Sequence, residues 1–375
     1  MNKTFHDQEF DDGTALKLSI FQGYTREWVP VFMTDSPNMG GITSVNIFDF
    51  FAGPGGDTAS NPGSPLIIQQ EIRKYCETHS SMKNSKPITM YFNDKESSKI
   101  ESLRLRINGI QCGLGCCHPE FRTKLFSEAF EELFPVIASP GSANLVIMDQ
   151  FGITDVTPEV IQRLASCSCT DILFFFPSSF MHRFREHSAF SSKLDLRGKE
   201  LDYHTIHRDI CECFRELMGS RKYYLAPFSI KKNSSIHGVI FGTGSLYGLE
   251  KFLNVCWKLD PETGEANYNI EGDPFRGQTN LLFPELKTYR KMDQFQADLL
   301  GEIREHQPDN LSMYPFCLKK GFPPCKANEA LKTLQESGQI ITIPIGDQKL
   351  RKGTFYLGHK ERVSKIRFRA CGEAV

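Results

Sequence analysis

Short, almost wholly apolar segments separated by amphipathic ones make up most of the chain before residue 260. Apolar runs of about four to eight residues predict buried strands, and apolar positions at helical spacing predict amphipathic helices. The strand segments are 45–51, 88–94, 145–148, 171–176, 222–228 and 236–242. The helical segments are 15–32, 65–77, 95–107, 119–134, 203–218 and 245–259, and a loop and helix lie within 153–165. Strands alternating with helices predict an α/β fold with a largely parallel sheet.

The segment that organises this pattern is 45–56, in which an apolar strand runs into a glycine-rich turn. Asp49 lies near the end of the strand, and Phe51, Gly53 and Gly55 follow it. Glycines let a chain turn sharply and let a ligand approach the backbone. Strand, turn and helix together predict the nucleoside-binding corner of a doubly wound fold. The spacing G-x-G-G differs from the G-x-G-x-x-G of NAD and FAD sites and argues against those cofactors.

An acid also ends the second strand segment. Asp94 ends strand 88–94 at the position where the ribose hydroxyls of a bound nucleoside would lie, and a carboxylate accepts two hydroxyl hydrogen bonds there. The same residue suits the N-cap of the next helix, and both interpretations stay open. In the helix before this strand, Ser64 is predicted to cap the first turn, with Pro65 at the first helical position.

A third acid ends the strand at 145–148. Asp149 begins the sequence Asp-Gln-Phe-Gly, which faces the ligand crevice if the fold is correct. The segment distantly resembles the Asp-Pro-Pro-Tyr type motif of amino-group methyltransferases, which implies that the carboxylate accepts hydrogen bonds from a target amine and that the ring of Phe151 stacks on a flipped base. The alternative, that Asp149 caps a helix beginning near Pro158, carries equal weight.

The residues around Asp49 resemble known methyltransferases. Asp-x-Phe-Ala-Gly-x-Gly looks like the first motif of S-adenosylmethionine-dependent methyltransferases. The longer string Phe-Asp-Phe-Phe-Ala-Gly-Pro-Gly, with Gly-Ser-Pro after it, is similar to the three-Cys-motif partner (TcmP) family. That family has a methyltransferase-like domain, and Asp149-Gln-Phe-Gly resembles its Asp-Pro-Phe-Gly. Gln150 stands where the family has proline, which puts methyl transfer in doubt.

The resemblance implies a fold, a cofactor and partners. The implied fold is a Rossmann-like methyltransferase sheet ending in an antiparallel hairpin, with a leading helix that carries a lysine, here Lys17. The implied cofactor is S-adenosylmethionine. The residues assigned to it are Asp49, Phe51, Gly53, Gly55 and Asp94, and those assigned to catalysis are Asp149 and Phe151. The implied protein partner has a three-cysteine, radical-SAM-like motif.

The pattern changes after residue 260. Segment 260–289 is rich in turn residues and predicts a linker. Helices at 293–305 and 324–337, a short segment at 315–320, and a hairpin of 339–345 with 353–357 predict a winged helix-turn-helix, which the family also has. The predicted divisions are a helical lead-in, a methyltransferase-like domain, a linker and a winged domain with a basic tail, at 1–40, 41–260, 261–290 and 291–375.

The tail supplies candidate phosphate ligands. These cations, which would contact DNA or RNA, are Lys349, Arg351, Lys352, Lys365, Arg367 and Arg369. The last three alternate with Ile366 and Phe368, so on a strand they share one face. A solvated strand edge protected by charge is the competing interpretation, and it is slightly favoured for the strand itself.

Composition limits the class of protein. With 375 residues and a formal net charge of −1, the whole chain is not an obvious polyanion binder, and any basic surface must be local. No apolar run is long enough for a membrane span, and the first residues lack an apolar signal core, which predicts a cytoplasmic protein. The twelve cysteines are then expected to be reduced.

The segment around Cys112, Cys116 and Cys117 is unusual because it continues into His118. Four such residues can hold a metal ion, but the spacing C-x-x-x-C-C-H matches no common zinc module. Reduced cysteines packed in a loop are the favoured interpretation, and no metal is predicted.

Three classes of function remain. The first is a methyltransferase acting on a nucleic-acid or protein-linked amine. The second is a non-catalytic nucleotide- or nucleic-acid-binding partner protein, favoured by the Gln150 departure. The third is a metal-dependent nuclease that uses Asp49, Asp94 and Asp149, which lacks any supporting motif.

Overall fold

In the computed structural model, the described residues are 9–33, 41–79, 87–110, 115–150, 155–177, 206–232, 235–270, 291–346, 350–351 and 353–371. The chain divides into two compact units, Met1–Val255 and Cys256–Val375. Each unit is described by itself.

The first unit is built on a seven-stranded sheet in the order β3-β2-β1-β4-β5-β7-β6. Its strands are β1 Ser44–Asp49, β2 Ile88–Asn93, β3 Cys117–Arg122, β4 Ser142–Asp149, β5 Thr170–Pro177, β6 Tyr224–Lys232 and β7 Ser235–Thr243. Neighbouring pairs among β1 to β5 are parallel, whereas β7 is antiparallel to both β5 and β6. The structure thus confirms the predicted parallel sheet and its closing hairpin.

Helices lie between the strands and cover both faces of the sheet. Those of the first unit are α1 Asp12–Met33, α2 Ser64–Thr78, α3 Ser97–Gly109, α4 Phe126–Ile137, α5 Pro158–Ser166 and α6 Ile206–Met218, and α7 Leu246–Leu259 follows β7. Each helix supplies an apolar stripe that must be buried against the sheet. This requirement explains why the helical periodicity in the sequence recovers most of them.

One face of the sheet packs against α4, α5 and α6 through a continuous apolar cluster. Its members include Phe48, Phe130, Leu164, Phe174 and Phe214, all nearly or wholly inaccessible to solvent. Alternate residues of β1 and β5 enter this cluster because successive side chains of a strand point to opposite faces. The remaining strand positions face α1 and carry the polar side chains described below.

Helix α1 lies on the opposite face of the sheet. The ring of Tyr24 is centred 4.6 Å from that of Phe241 in β7 and 6.1 Å from that of Phe252 in α7. Its hydroxyl donates to Asp171 Oδ2 at the start of β5, at 2.7 Å. Residues with helical periodicity reveal which stripe is buried but not which strands receive it.

The sequence missed one strand. A helix was expected over 119–134, but 117–122 forms β3, and α4 begins only at Phe126. Among the described strands, β3 lies at the end of the sheet and pairs with β2 alone, so Pro119 does not have to donate on its outer side. Proline near the start of an apolar helical pattern resembles the first turn of a helix, which explains the error.

The expectation that all cysteines are reduced is wrong for two of them. Cys76 near the end of α2 and Cys116 just before β3 form a disulfide. Their sulfur atoms are 40 residues apart in sequence and meet because α2 and β3 lie near the same edge of the fold. The free cysteines among the described residues include Cys256 and Cys317, both buried.

The described residues of the second unit form three helices after residue 290 and a two-stranded antiparallel sheet. Its elements are α8 Lys291–His306, α9 Asn310–Lys319, α10 Pro324–Glu336, β8 Ile340–Pro344 and β9 Ile366–Ala370. The expected hairpin partner, 353–357, is wrong, because β8 pairs with the tail strand instead. Ile366 and Phe368 of β9 enter the apolar core of this unit, and that burial fixes the pairing.

No helix in the described part of the chain is long and apolar enough to cross a membrane.

Candidate functional site

The three acids singled out in the sequence lie together at the carboxyl ends of neighbouring parallel strands. Strands β2, β1 and β4 are adjacent and parallel, and Asp94, Asp49 and Asp149 lie at or just after their carboxyl ends. The chain order of the strands reverses between β1 and β4. In doubly wound sheets this switch point opens a crevice outside the carboxyl ends of the strands, where ligands bind.

Asp49, the last residue of β1, is fully buried. Its Oδ2 accepts a hydrogen bond from the Ser64 hydroxyl at 2.6 Å, and its Oδ1 accepts one from the Phe51 backbone N–H at 3.2 Å. Burial raises the pKa of Asp49 to about 7, although Ser64 opposes the shift, and the charge of Asp149 raises it further. The carboxyl group of Asp49 therefore changes its charge close to neutral pH.

The helix cap predicted for Ser64 is wrong. Gly63 is the N-cap of α2 and makes no side-chain capping bond, while Ser64 uses its hydroxyl on Asp49. Pro65 does lie at the start of the helix, as expected. A serine ahead of a proline is locally suited to cap a helix. In the folded chain the start of α2 lies beside the end of β1, so the Ser64 hydroxyl donates to Asp49 instead.

The glycine turn follows β1 in the chain and contacts the residue just after β2. Gly53 has a backbone φ of 61° and Gly55 one of 86°, values that strain residues with a Cβ. The Gly53 N–H donates to Asp94 Oδ2 at 3.2 Å, and the Glu96 N–H donates to Asp94 Oδ1 at 2.9 Å. Asp94 therefore joins the turn to the end of β2.

The N-cap role considered for Asp94 is not observed. The residue at the N-cap of α3 is Glu96, without a side-chain capping bond. Asp94 is half-buried, and each of its carboxylate oxygens retains acceptor capacity beyond the single bond it makes. A carboxylate in this position can accept bonds from vicinal hydroxyls.

Sequence reasoning missed two residues that close the same turn. Asp57 is buried and accepts hydrogen bonds from the backbone N–H and the side-chain amide of Asn61, both at 2.7 Å. The Phe10 backbone N–H donates to Asp57 Oδ2 at 2.8 Å. The pattern Asp-x-x-x-Asn is a common local turn and gave no signal that the chain before α1 would reach it.

Asp149 forms a nearly buried ion pair. Lys17 Nζ of α1 donates to Asp149 Oδ2 at 2.5 Å, and the two side chains are 5% and 14% exposed. The helix near Pro158 has Thr157 as its N-cap, so the capping interpretation of Asp149 is wrong. The sequence singled out both residues, Lys17 only through the family resemblance, but not their contact.

Two further side chains extend this row across the sheet. Phe175 of β5 is paired with Asp149, and His237 of β7 is paired with Pro177, two residues further along β5. Lys17 Nζ lies 4.6 Å from the centre of the Phe175 ring, and the His237 ring stacks on Phe175 at 5.4 Å. Neither aromatic residue stood out in the sequence, because both lie within ordinary apolar strand patterns.

The remaining predicted residues have mixed placements. Phe51 is half-buried, and its ring stacks on Phe126 at 5.2 Å. Gln150 is buried, and its side-chain oxygen accepts from the Val156 N–H at 3.1 Å, which links the two ends of the segment after β4. Phe151 lies outside the described residues.

The basic tail belongs to the second unit. Arg367 is exposed and Arg369 half-buried, on the face of β9 opposite Ile366 and Phe368, as the alternation predicted. Lys365 precedes the strand and pairs with Glu361 at 2.7 Å. Arg351 is exposed, whereas Lys349 and Lys352 lie outside the described residues.

No group of three or more His, Cys, Asp or Glu side chains able to hold a metal ion is found in the described ranges. The disulfide removes Cys116 from the candidate metal ligands, and Cys112 lies outside those ranges.

The topology defines the class of fold: a Rossmann-like α/β sheet of seven strands, with a separate two-stranded antiparallel sheet. No protein-family model matches the chain, and no curated protein sequence matches it. Among solved structures, the chain is similar to a SAM-dependent methyltransferase from Agrobacterium tumefaciens. The sequence identity is 8%, the match covers 63% of this chain and 63% of that chain, and the TM-score is 0.35.

Two further structures are from Pyrococcus horikoshii. One is Trm1 in complex with S-adenosyl-L-methionine, with 8% sequence identity, a match that covers 65% of this chain and 58% of that chain, and a TM-score of 0.37. The other is TYW2 in complex with MeSAdo, with 10% sequence identity, a match that covers 63% of this chain and 64% of that chain, and a TM-score of 0.33. The match thus spans less than two thirds of each of these three structures.

Proposed function

We propose that the chain binds S-adenosylmethionine at the carboxyl ends of β1, β2 and β4 and transfers its methyl group to an amino group of a nucleic acid. The observation that carries this proposal is the convergence of Asp49, Asp94 and Asp149 at one topological switch point, beside a glycine turn. The strand order of the sheet supports the same class of reaction.

The chain's own residues fit such a cofactor. Asp94 retains acceptor capacity for ribose hydroxyls, and the turn at Gly53 and Gly55 presents backbone rather than side chains. Asp49 is a buried acid whose charge changes near neutral pH, suited to a cationic ligand group. The bound cofactor would supply an electrophilic methyl group on a sulfonium.

In this proposal, Asp149 orients the amine. One carboxylate oxygen accepts from Lys17, which leaves the other available to an N–H of the target. The bond from Gln150 to the Val156 N–H ties together the segment where the family motif has a proline. This link offsets the loss of rigidity that the substitution suggested.

A second candidate function, cofactor or nucleotide binding without transfer, rests on the same ion pair. Lys17 competes with a target amine for Asp149, and it comes from α1 rather than from a substrate. In that case the chain serves a partner, for which the resemblance suggests a protein with a three-cysteine, radical-SAM-like motif.

The test begins with binding and ends with transfer. S-adenosylmethionine should raise the melting temperature of the wild-type chain, by mass action on the folded state. Asp149→Asn keeps an acceptor oxygen for Lys17 but removes the negative charge. This variant should retain the melting shift and lose transfer of a radioactive methyl group to nucleic acid. Absence of a melting shift in the wild type would contradict both candidate functions, and binding without transfer would favour the second.

We propose further that the second unit is a winged helix that binds nucleic-acid phosphates through β9. Arg367 and Arg369 lie on the outer face of this strand, and no ion pair of either is found within the described residues. The exposed side of α10 is charge-balanced, because Lys326 pairs with Glu329 at 2.9 Å and Lys332 with Glu336 at 3.6 Å. The strand is therefore the better phosphate-binding surface.

Replacing both arginines tests this surface. Arg367→Glu with Arg369→Glu should weaken binding to duplex DNA and to RNA hairpins, and should reduce the salt slope by about one per lost phosphate contact. Fluorescence anisotropy at several salt concentrations measures both effects. Lys332→Glu on α10 is the matched control and should leave the affinity unchanged; a larger loss from the control than from the β9 variant would reject the assignment.

A further inference from the structure

A row of side chains extends from the proposed catalytic acid across the sheet toward β7. Asp149 of β4 pairs with Phe175 of β5, and Phe175 pairs with Val239 of β7. His237 is two residues from Val239 and therefore lies on the same face of the sheet. Lys17 contacts both Asp149 and Phe175, which places this face toward α1.

His237 stands at the crevice edge of that row. Strand β7 is antiparallel to β5, so its first residues lie beside the carboxyl end of β5. The imidazole stacks on Phe175 with an angle of 11° between the ring planes. Its ring nitrogen Nδ1 is buried and has no hydrogen-bond partner among the described residues.

The surroundings of His237 favour its neutral form. Burial lowers the pKa of His237, and the positive charges of Lys232 and Lys17 lower it further. The negative charges of Asp11 and Asp149 oppose this shift and are outweighed. A neutral imidazole can accept a proton, whereas Asp149 already shares one oxygen with an ammonium group.

We propose that His237 accepts the proton that the target amine releases during methyl transfer. This inference rests on the proposed function and adds a residue to it. The amine nitrogen forms a bond to the methyl carbon, and the carbon–sulfur bond of the sulfonium donor breaks with its electron pair remaining on sulfur. The nitrogen then gives one proton to the imidazole. His237 is half-exposed, so the imidazolium can pass that proton to water.

The geometry assigns different tasks to the neighbouring side chains. Asp149 orients the amine, Phe175 provides a flat surface that fixes the imidazole ring, and Lys17 holds Asp149. Imidazolium formation brings a second cation near Lys17, and this repulsion speeds release of the proton after transfer. General base catalysis of this kind contributes about 100-fold or more to a rate.

The first experiment compares activity in two histidine variants. The probe is S-adenosylmethionine with a tritiated methyl group and a mixture of random-sequence DNA and RNA oligonucleotides. His237→Gln should lower kcat by about 100-fold and remove the acid limb of the pH–rate profile, with an unchanged melting shift from S-adenosylmethionine. His118→Gln is the matched control, because His118 is exposed on β3, at the far end of the sheet.

A chemical rescue separates proton transfer from a packing role. His237→Ala removes the imidazole, and free imidazole in the buffer should restore activity in proportion to its neutral fraction. A residue that only supports the fold would show no such pH-dependent rescue. An unchanged pH–rate profile in His237→Gln overturns the inference while the proposed function stands. No transfer by the wild type overturns both.

A second measurement does not depend on activity. In NMR spectra of protein with labelled histidine rings, the resonance missing from His237→Gln should titrate with a pKa below the ordinary histidine value of 6.5. Lys17→Met removes a positive charge that faces the ring and should move this titration to higher pH. A His237 resonance that titrates with a pKa of 6.5 or above and does not respond to Lys17→Met would contradict the inferred surroundings.

Discussion

The buried acid at the end of β1 predicts a specific pH dependence of folding. Asp49 has an ordinary pKa of 3.8 and, because of burial, one of about 7 in the folded chain. The folded state therefore binds the proton more tightly than the unfolded state. The stability that this adds is complete below the unfolded pKa and is lost as the pH rises through the folded pKa.

The size of the effect follows from the shift. At about 1.36 kcal/mol per pKa unit, the full difference corresponds to roughly 4 kcal/mol between low and high pH. Between about pH 5 and about pH 8 the wild type should lose roughly 3 kcal/mol through this residue alone. Asp171, whose pKa burial raises to about 6, should add a smaller loss of the same sign.

Asp49→Asn isolates this contribution. The asparagine oxygen can accept from the Phe51 N–H, and its amide can donate to the Ser64 hydroxyl, so the local bonds are kept without a charge. Free energies of unfolding for the first unit, measured in urea at both pH values, should fall less with pH in the variant than in the wild type by roughly 3 kcal/mol. Equal slopes would show that Asp49 is ionised in the fold at both pH values, which would refute the reasoning.

Three further predictions concern the contacts around the sheet. Lys17→Met should destabilise the first unit by about 3 kcal/mol or more in urea, because Asp149 is left as an unpaired, nearly buried charge; Lys17→Met combined with Asp149→Leu should recover most of that loss, and a double variant no more stable than the single one would argue against the pair. Cys116→Ser should lower the melting temperature, since a closed loop of 40 residues restricts the unfolded chain by about 4 kcal/mol; a reductant should lower the wild type to the same value, and a wild type insensitive to reductant would contradict the disulfide. Gly55→Ala should reduce both stability and the shift caused by S-adenosylmethionine, because φ is 86° there and a Cβ would lie 2.8 Å from Leu103 Cδ1; Gly109→Ala, at a glycine with open space around it, is the control and should leave the cofactor shift intact.

Some elements could be predicted because their signal is local. The apolar runs that became β1, β4 and β5 are buried at most positions on both faces, and such strands need continuous hydrophobic sequence. The acids at their ends were likewise visible, since a charged residue that ends an apolar run marks the place where a strand leaves the core. Strand β3 was missed because it lies at an edge and carries His118, Glu120 and Arg122 on a partly exposed surface.

The placement of the tail strand shows a second limit. The alternation of Ile366 and Phe368 with arginines predicted a strand with one apolar face, and the structure confirms it. The sequence could not identify its partner, because 353–357 is closer in sequence to β8 and has an equally apolar pattern. The entropic cost of closing a loop rises only slowly with loop length. Burial of the apolar side chains of β9 in the core therefore outweighs the cost of the longer connection to β8.

The sequence by itself determined the alternation of strands and helices, the glycine turn after β1 and the three acids that end neighbouring strands. Only the tertiary structure decided which side chains meet: Ser64 with Asp49, Lys17 with Asp149, Cys76 with Cys116, and His237 with Phe175. Periodicity along a chain specifies which face of each element is buried, because burial depends on the repeat of a single helix or strand. Contacts between residues far apart in sequence depend on how those elements pack together, and no local pattern carries that information.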